Sequence, residues 1–194
     1  MDVFVMRHGE TAWSVSGRHT STTDLPLTDN GRRIAKRLRP VLPNETFARI
    51  FVSPMRRARE TRELAGLGNA AVIAPELARW NYGEFEGLTP EQIHDKASGW
   101  LIFRDGCPGG EKPEQVGARA DRVIAQVRAI DGNVALFAHG HILRVLVARW
   151  IGLSLGAGQH FLLDTGSLCV LSYYYEIPAV RVWNGLLPTQ DQPQ

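Results

Sequence analysis

The chain has 194 residues, of which 44% are hydrophobic and 22% are charged, and its formal net charge is +2. This length and composition are typical of a soluble globular protein with a sizeable core, and no apolar run is long enough to span a bilayer. A predicted strand begins by residue 3, so we expect no signal peptide. Cys107 and Cys169 lack metal-ligand spacing and suggest no disulfide framework, so we expect a cytoplasmic protein without a membrane partner.

Arginine residues crowd two segments, 32–39 and 56–62. Within both segments the basic residues alternate with apolar helix positions. No basic tail or recognised nucleic-acid-binding motif accompanies them. We interpret them as solvated helix faces that include a few anion-binding arginines, and we expect no nucleic-acid partner.

Strands and helices alternate through the first half of the chain. Apolar residues at helical spacing, Pro43 as a stop and Ser53-Pro54 as a start mark the helices. The predicted elements are strands over 2–6, 49–52 and 71–74 and helices over 28–42 and 53–65.

The second half begins with residues 75–112, an irregular segment in which we predict only a short helix from Pro90. Segments of this length inside a compact domain are usually functional and often cover a site. The later predicted elements are helices over 113–130 and 141–151 and strands over 133–138, 168–173 and 180–183.

This alternation predicts an α/β fold, a three-layer sandwich with a mostly parallel central sheet flanked by helices. We expect one domain over residues 1–187, with 75–112 as a loop-rich insertion. The polar residues 188–194 are predicted to form a flexible tail.

Three predicted strands end at residues suited to phosphate chemistry. The first ends at Arg7 and His8, the second leads into Arg57, and the third ends at His139. Strands that lie side by side would bring these residues to the sheet edge where open α/β folds bind ligands. An imidazole serves as nucleophile or base, and a guanidinium holds phosphate oxygens bidentately. Together the four residues predict a phosphate pocket.

Other interpretations of single residues stay open at this point. Arg57 has several arginine neighbours, and taken alone it would be an ordinary exposed helix residue. His139 and His141 stand two residues apart, as zinc ligands can, but no third ligand has suitable spacing. We therefore expect no metal.

Four segments, in order, resemble the signature blocks of the histidine phosphatase superfamily, which includes the cofactor-dependent phosphoglycerate mutases. They are the RHG block at 7–11, the PLTxxG block at 25–31, the SPxxRAxxT block at 53–61 and the second-histidine block at 137–141. The resemblance covers nearly the whole chain. Within the superfamily the sedoheptulose-1,7-bisphosphatase-like branch is most similar, through segments 16–28, 80–87, 104–107 and 161–164.

The resemblance implies a phosphoglycerate mutase-like fold and a mechanism without a metal or other cofactor. Neutral His8 attacks phosphorus and forms a phosphohistidine, which water then hydrolyses. Arg7, Arg57 and His139 hold the non-bridging oxygens. Further residues that we expect to bind substrate are Ser14, His19, Thr20, Ser21, Arg79, Tyr82 and Gly140.

Arg79 departs from the family pattern. Relatives have a glutamate four residues before the glycine of the tryptophan–tyrosine–glycine block, and counting back from Gly83 gives Arg79. A guanidinium stays charged and cannot serve as a general acid. Another carboxylate can replace the acid, the substrate can carry a good leaving group, Arg79 can bind a second anionic group, or the change can simply lower activity. The candidate proton donors are Glu84 and Glu86, with Glu10 and Glu76 also considered.

We therefore expect a metal-independent phosphatase that hydrolyses small phosphate monoesters, such as sugar phosphates or bisphosphates, through a phosphohistidine. Its partner would be a small phosphorylated metabolite, and the protein would be a monomer or homodimer. The alternatives are phosphoglycerate-mutase-type transfer, a phosphoprotein phosphatase, and a weakly active phosphate-binding homologue.

Overall fold

The computed structural model describes residues 1–42, 46–68 and 71–185. Its elements in chain order are β1 (Val3–Arg7), α1 (Ala12–Val15), α2 (Asp29–Lys36), β2 (Phe47–Val52), α3 (Arg56–Leu64), β3 (Ala71–Ile73), α4 (Pro90–Lys96), α5 (Ile102–Asp105), α6 (Pro113–Arg128), β4 (Asn133–Ala138), α7 (Gly140–Trp150), β5 (Leu168–Tyr174) and β6 (Ile177–Gly185). Short 3-10 helices lie at Pro75–Leu77, Gly83–Phe85 and Leu155–His160. Among these helices of the described ranges, none is long and apolar enough to cross a membrane.

The six strands form one sheet in the order β3-β2-β4-β1-β5-β6. The pairs β3/β2, β2/β4 and β4/β1 are parallel, whereas β1/β5 and β5/β6 are antiparallel. The predicted α/β fold with a mostly parallel sheet is therefore confirmed.

The register of the parallel strands places their carboxyl ends side by side. Arg7 pairs with Ala138 and Val52 pairs with Phe137. The next backbone N–H groups continue the ladder, because His8 donates to the Ala138 carbonyl at 3.0 Å and Ser53 donates to the Phe137 carbonyl at 2.9 Å. The chain therefore leaves β1, β2 and β4 at one edge.

Alternate residues of the central strands pack into two separate cores, one on each face of the sheet. In β1, Val3 and Val5 belong to the core that includes the buried faces of α6 and α7. Phe4 and Met6 belong to the other core, which includes Ala58 of α3. A strand buried on both faces between helices is what a three-layer fold requires.

The helix predicted over 28–42 is shorter in the structure. The α-helix α2 ends at Lys36, and the N–H groups of Arg37, Leu38 and Arg39 donate to carbonyls three residues back, which tightens the chain into turns. Leu38 and Leu42 remain fully buried, so the apolar spacing correctly indicated burial but overestimated the α-helix. Residue 43 lies outside the described residues.

The start of the next helix also differs from the prediction. Helix α3 begins at Arg56 with Met55 as its N-cap, rather than at Ser53. The Ser53 hydroxyl lies instead 2.7 Å from His139 Nε2. The oxygen that the sequence pattern assigned to capping thus has a close tertiary partner, and it also accepts a long hydrogen bond from the Met55 N–H at 3.4 Å.

The segment 75–112 holds two 3-10 helices as well as α4 and α5, of which only α4 was predicted. Helix α1 was not predicted either. Elements of three or four residues carry too little periodicity to be read from sequence. The single-domain assignment stays a prediction, and the predicted tail lies outside the described residues.

Candidate active site

The edge formed by β1, β4 and β2 brings His8, Arg57 and His139 together. The ring centroids of His8 and His139 lie 5.1 Å apart. Arg57 Nε lies 3.2 Å from His139 Nδ1. The sheet topology therefore joins three residues that are distant in sequence.

His8 is held as a neutral imidazole with one free nitrogen. Its Nδ1 lies 2.7 Å from the Gly9 carbonyl oxygen, so Nδ1 carries the proton and donates it, and Nε2 keeps its lone pair. The side chain is only 3% exposed. Burial, together with the charges of Arg7 and Arg57, holds the pKa of His8 well below its ordinary value. Nε2 is therefore available as a nucleophile.

The turn after His8 is fixed by two close contacts. A side chain at Gly9 would place its Cβ 2.5 Å from the carbonyl oxygen of Gly31 at the start of α2, so only glycine fits. The Gly9 N–H donates to Thr61 Oγ1 at 2.9 Å, and the Thr61 hydroxyl donates to the Arg57 carbonyl at 2.7 Å. Residues from three motif blocks thus position the imidazole.

Both ring nitrogens of His139 have protein partners. Nδ1 accepts from Arg57 Nε, so Nε2 carries the proton and donates to Ser53 Oγ. Burial and the charge of Arg57 hold the pKa of His139 well below its ordinary value. To donate to a phosphate oxygen, His139 would have to exchange its bond to Ser53.

Arg57 is almost completely buried, at 1% exposure. Its Nη1 and Nη2 donate to the carbonyls of Thr23 and Ser21 at 3.1 and 3.3 Å. Burial and the nearby charge of Arg79 lower the pKa of Arg57 to about 10. The guanidinium is therefore a fixed cation directly behind His8.

Arg7 and Arg79 flank Gly140. A Cβ at Gly140 would lie 3.5 Å from both Arg7 Nε and Arg79 Nη1. Arg7 Nη1 donates to the Leu163 carbonyl, whereas Arg7 Nε is buried and has no hydrogen-bond partner among the described residues. Burial and the charge of Arg79 lower the pKa of Arg7 to about 9. Two adjacent guanidiniums with an unused donor are suited to bind an anion.

A cavity of about 310 Å³ opens at this point. Its lining residues are Arg7, His8, Thr11, Ser14, Gly17, Arg18, His19, Thr20, Arg79, Pro90 and His141. The lining contains three arginines and three histidines but no carboxylate among the residues described. A second cavity of about 1000 Å³ shares His19, Pro90 and His141 with it.

The predicted substrate-binding residues divide into two groups. Ser14, His19, Thr20 and Arg79 line the smaller cavity. Ser21 and Tyr82 are buried beside it, and Gly140 lies between the two guanidiniums. Arg57 and His139 do not line the cavity and form the layer behind His8.

The structure does not bring the predicted proton donors into the cavity. Glu84 is exposed elsewhere. Glu86 accepts from the Ser21 N–H at 2.8 Å and the Thr23 N–H at 3.0 Å, and also from the Ser21 hydroxyl. Burial raises the pKa of Glu86, but these hydrogen bonds outweigh it and the net pKa is lowered. Glu10 and Glu76 are likewise bound to other side chains, by Thr28 and Asn30 and by Arg122 respectively.

His141 is the site residue that sequence reasoning missed. It lines both cavities, and its Nδ1 lies 2.6 Å from the Tyr82 hydroxyl. The sequence marked it only as part of the second-histidine block at 137–141 and through its spacing from His139, which zinc ligands can have. Within the described ranges no group of three or more potential metal ligands occurs.

The family model of the histidine phosphatase superfamily (branch 1) matches residues 3–185. The chain belongs to this superfamily. An acid phosphatase from Mycobacterium tuberculosis is 36% identical over 93% of this chain and 90% of its own length. A sedoheptulose 1,7-bisphosphatase from Saccharomyces cerevisiae is 35% identical over 77% of this chain and 67% of its own length.

A solved structure of a Mycobacterium tuberculosis open reading frame has a TM-score of 0.90 and 36% identity, over 94% of this chain and 96% of that one. The predicted family, fold and phosphoric monoester hydrolase class are therefore confirmed.

Proposed function

We propose that the enzyme hydrolyses small phosphate monoesters through a phosphohistidine on His8, without a metal. One observation carries the proposal: His8 donates its Nδ1 proton to the Gly9 carbonyl and presents a free Nε2 beside a cavity walled by guanidiniums. An imidazole oriented in this way can attack without first losing a proton.

Arg7 would bind the transferred phosphoryl group directly. Arg7 lines the cavity, and its buried, unpartnered Nε lies 3.5 Å from the Cβ position of Gly140, as does Arg79 Nη1. Preorganised donors of this kind stabilise the charge that develops on the phosphoryl oxygens, and each is typically worth about 3 kcal/mol. Arg57 and His139 support His8 from behind, so their contribution is the position and protonation state of the nucleophile as well as charge.

A sugar phosphate or bisphosphate is the proposed substrate class. The cavity wall combines hydroxyl groups of Ser14 and Thr20 with the cation of Arg18 at its mouth. Hydroxyls suit a polyol, and the exposed guanidinium suits a second anionic group. The yeast relative named sedoheptulose 1,7-bisphosphatase supports the same class.

We also propose that the enzyme works in the cytoplasm. Cys107 and Cys169 are both unpaired and buried. Burial raises the pKa of the Cys107 thiol to about 12 and that of Cys169 to about 11. Thiols of this kind serve as packing residues and are compatible with a reducing compartment.

Trapping of the covalent intermediate tests the function. The enzyme is mixed with phosphorus-labelled 4-nitrophenyl phosphate and denatured in alkali, which preserves phosphohistidine. We expect one label per chain on His8 and loss of both label and turnover in His8→Ala. The exposed His94→Ala serves as the matched control and should keep both. Full turnover in His8→Ala would contradict the proposal.

A further inference from the structure

Arg79 and His141, which line the cavity, are joined through the buried Tyr82 in a hydrogen-bonded chain that phosphoryl transfer to His8 does not use. Arg79 Nε and Nη2 donate to the Tyr82 hydroxyl oxygen at 2.9 and 2.6 Å. The Tyr82 hydroxyl in turn lies 2.6 Å from His141 Nδ1. The remaining arm of Arg79, Nη1, lies by Gly140 next to Arg7.

The donors and acceptors fix where the protons lie in this chain. A guanidinium only donates, so the Tyr82 oxygen accepts both bonds from Arg79 and its own O–H must donate to His141 Nδ1. Neutral His141 therefore carries its proton on Nε2. That nitrogen has no hydrogen-bond partner among the described residues, and His141 lines the cavity that His8 also lines. The chain thus ends in an N–H available to a substrate.

We propose that Tyr82 and His141 deliver the proton that the leaving alkoxide needs, in place of the carboxylic acid whose position Arg79 occupies. The inference rests on the proposed function, because it requires phosphoryl transfer to His8. It gives Arg79 a role in catalysis and supplies a proton donor where the described lining of the smaller cavity contains no carboxylate.

The proton and electron movements balance. As the bond between His8 Nε2 and phosphorus forms, the ester P–O bond breaks and leaves its electron pair on the substrate oxygen. That oxygen takes the proton from His141 Nε2, while His141 Nδ1 takes the phenol proton of Tyr82. The negative charge ends on the Tyr82 oxygen, paired with the Arg79 guanidinium.

The second half-reaction reverses the transfer. A water attacks the phosphohistidine and gives a proton to His141 Nε2, and Nδ1 returns its proton to the Tyr82 oxygen. The N–P bond breaks with its electron pair returning to His8, and inorganic phosphate leaves. The enzyme regains its starting protonation without an outside acid or base.

The electrostatic environment of His141 favours a relay in which its ring stays neutral over a mechanism in which the ring starts as an imidazolium. Burial and the cations Arg79 and Arg144 hold the pKa of His141 well below its ordinary value, with smaller effects in the same direction from His19 and Arg7. An imidazolium at this position is therefore disfavoured. Burial raises the pKa of Tyr82 above its ordinary value, and the charge and hydrogen bonds of Arg79 offset only part of that rise.

Substrates that differ only in leaving group test the relay. A good leaving group such as 4-nitrophenolate departs without a proton, whereas a sugar or other alkyl alkoxide needs one. We expect Tyr82→Phe to lower kcat/KM by ~10²–10⁴-fold on alkyl phosphates and by less than about threefold on 4-nitrophenyl phosphate. The matched control is Tyr173→Phe, which removes the hydroxyl of a ring that packs against Trp150 with centroids 5.2 Å apart.

A second variant covers the case in which Tyr82→Phe does not fold, since that change leaves Arg79 and His141 without their shared partner. His141→Gln keeps a polar group but no exchangeable acid, and we expect the same selective loss on alkyl phosphates. Equal losses on both substrate types, or no loss on alkyl phosphates, would overturn the relay. If the label still forms on His8, either of these results overturns the relay but leaves the proposed function intact. If the label does not form, both the relay and the proposed function are overturned.

Discussion

The two sides of the cavity are built in different ways. The phosphoryl side holds His8, Arg57 and His139, which follow adjacent strands of one sheet. The leaving-group side depends on Arg79 and Tyr82, which lie in the irregular segment 75–112. A sheet edge fixes its residues through continuous backbone pairing, whereas the other side is held by separate backbone hydrogen bonds, such as that from the Glu111 N–H to the Asn81 carbonyl at 3.0 Å, and by contacts between side chains.

After a change at the nucleophile itself, a change at Arg7 has the largest expected effect and gives the strongest test of this division. Because we propose that Arg7 binds the phosphoryl group, Arg7→Gln should lower kcat/KM equally on aryl and alkyl phosphates, by about 10²–10³-fold. The measurement is steady-state hydrolysis of both substrate types, with the exposed Arg33→Gln as control. A loss confined to alkyl phosphates would place Arg7 on the leaving-group side and break the comparison.

Lowering the pH tests whether the histidines on the two sides of the cavity are equally shielded from water. The pKa values of His8, His139 and His141 are all held well below the ordinary histidine value, chiefly by burial. Below about pH 6.5 the unfolded chain gains protons that the native chain does not, so the free energy of unfolding should fall as pH falls, by up to ~1.4 kcal/mol per pH unit for each such histidine.

Urea unfolding at several pH values between about 7.5 and 5 measures this slope. His139→Gln and His141→Gln should each make it shallower, whereas the exposed His94→Gln should not. If His139→Gln changes the slope and His141→Gln does not, His141 on the leaving-group side is accessible to water.

The last test is Arg79→Glu, which introduces the glutamate that the family resemblance implies at this position. Because the relay already donates a proton, and because Tyr82 loses its guanidinium partner, we expect no gain in kcat/KM on alkyl phosphates. The control is Arg18→Glu, which makes the same charge change at the cavity mouth. A gain of tenfold or more, in the range that general acid catalysis supplies, would show that the natural enzyme lacks a proton donor.

The phosphoryl side could be predicted from sequence because its signals are local. Apolar runs mark the strands, and glycine after His8 marks a turn that a side chain would block, since a Cβ at Gly9 would meet Gly31 at 2.5 Å. Parallel strands then share an edge by general rules of α/β folds. Those steps were enough to bring His8, Arg57 and His139 together.

The leaving-group side could not be predicted in the same way. Tyr82 meets His141 across 59 positions of sequence through a 3-10 helix too short to carry a periodic signal. Glu86 was a reasonable candidate acid by position, yet its oxygens turn toward Ser21 and Thr23. Only the three-dimensional path of the segment decides which polar group faces the cavity.

One loop carries hydrogen bonds to both sides. The carbonyls of Ser21 and Thr23 accept from Arg57, while the N–H groups of the same two residues donate to Glu86. Ser21 and Thr23 therefore link the Arg57 guanidinium, which supports the nucleophile, to the Glu86 carboxylate of the irregular segment 75–112. Glu86 touches no reactant, yet its replacement would remove the bonds that hold Ser21 and Thr23. The position of Arg57 would then change, and with it the rate of phosphoryl transfer.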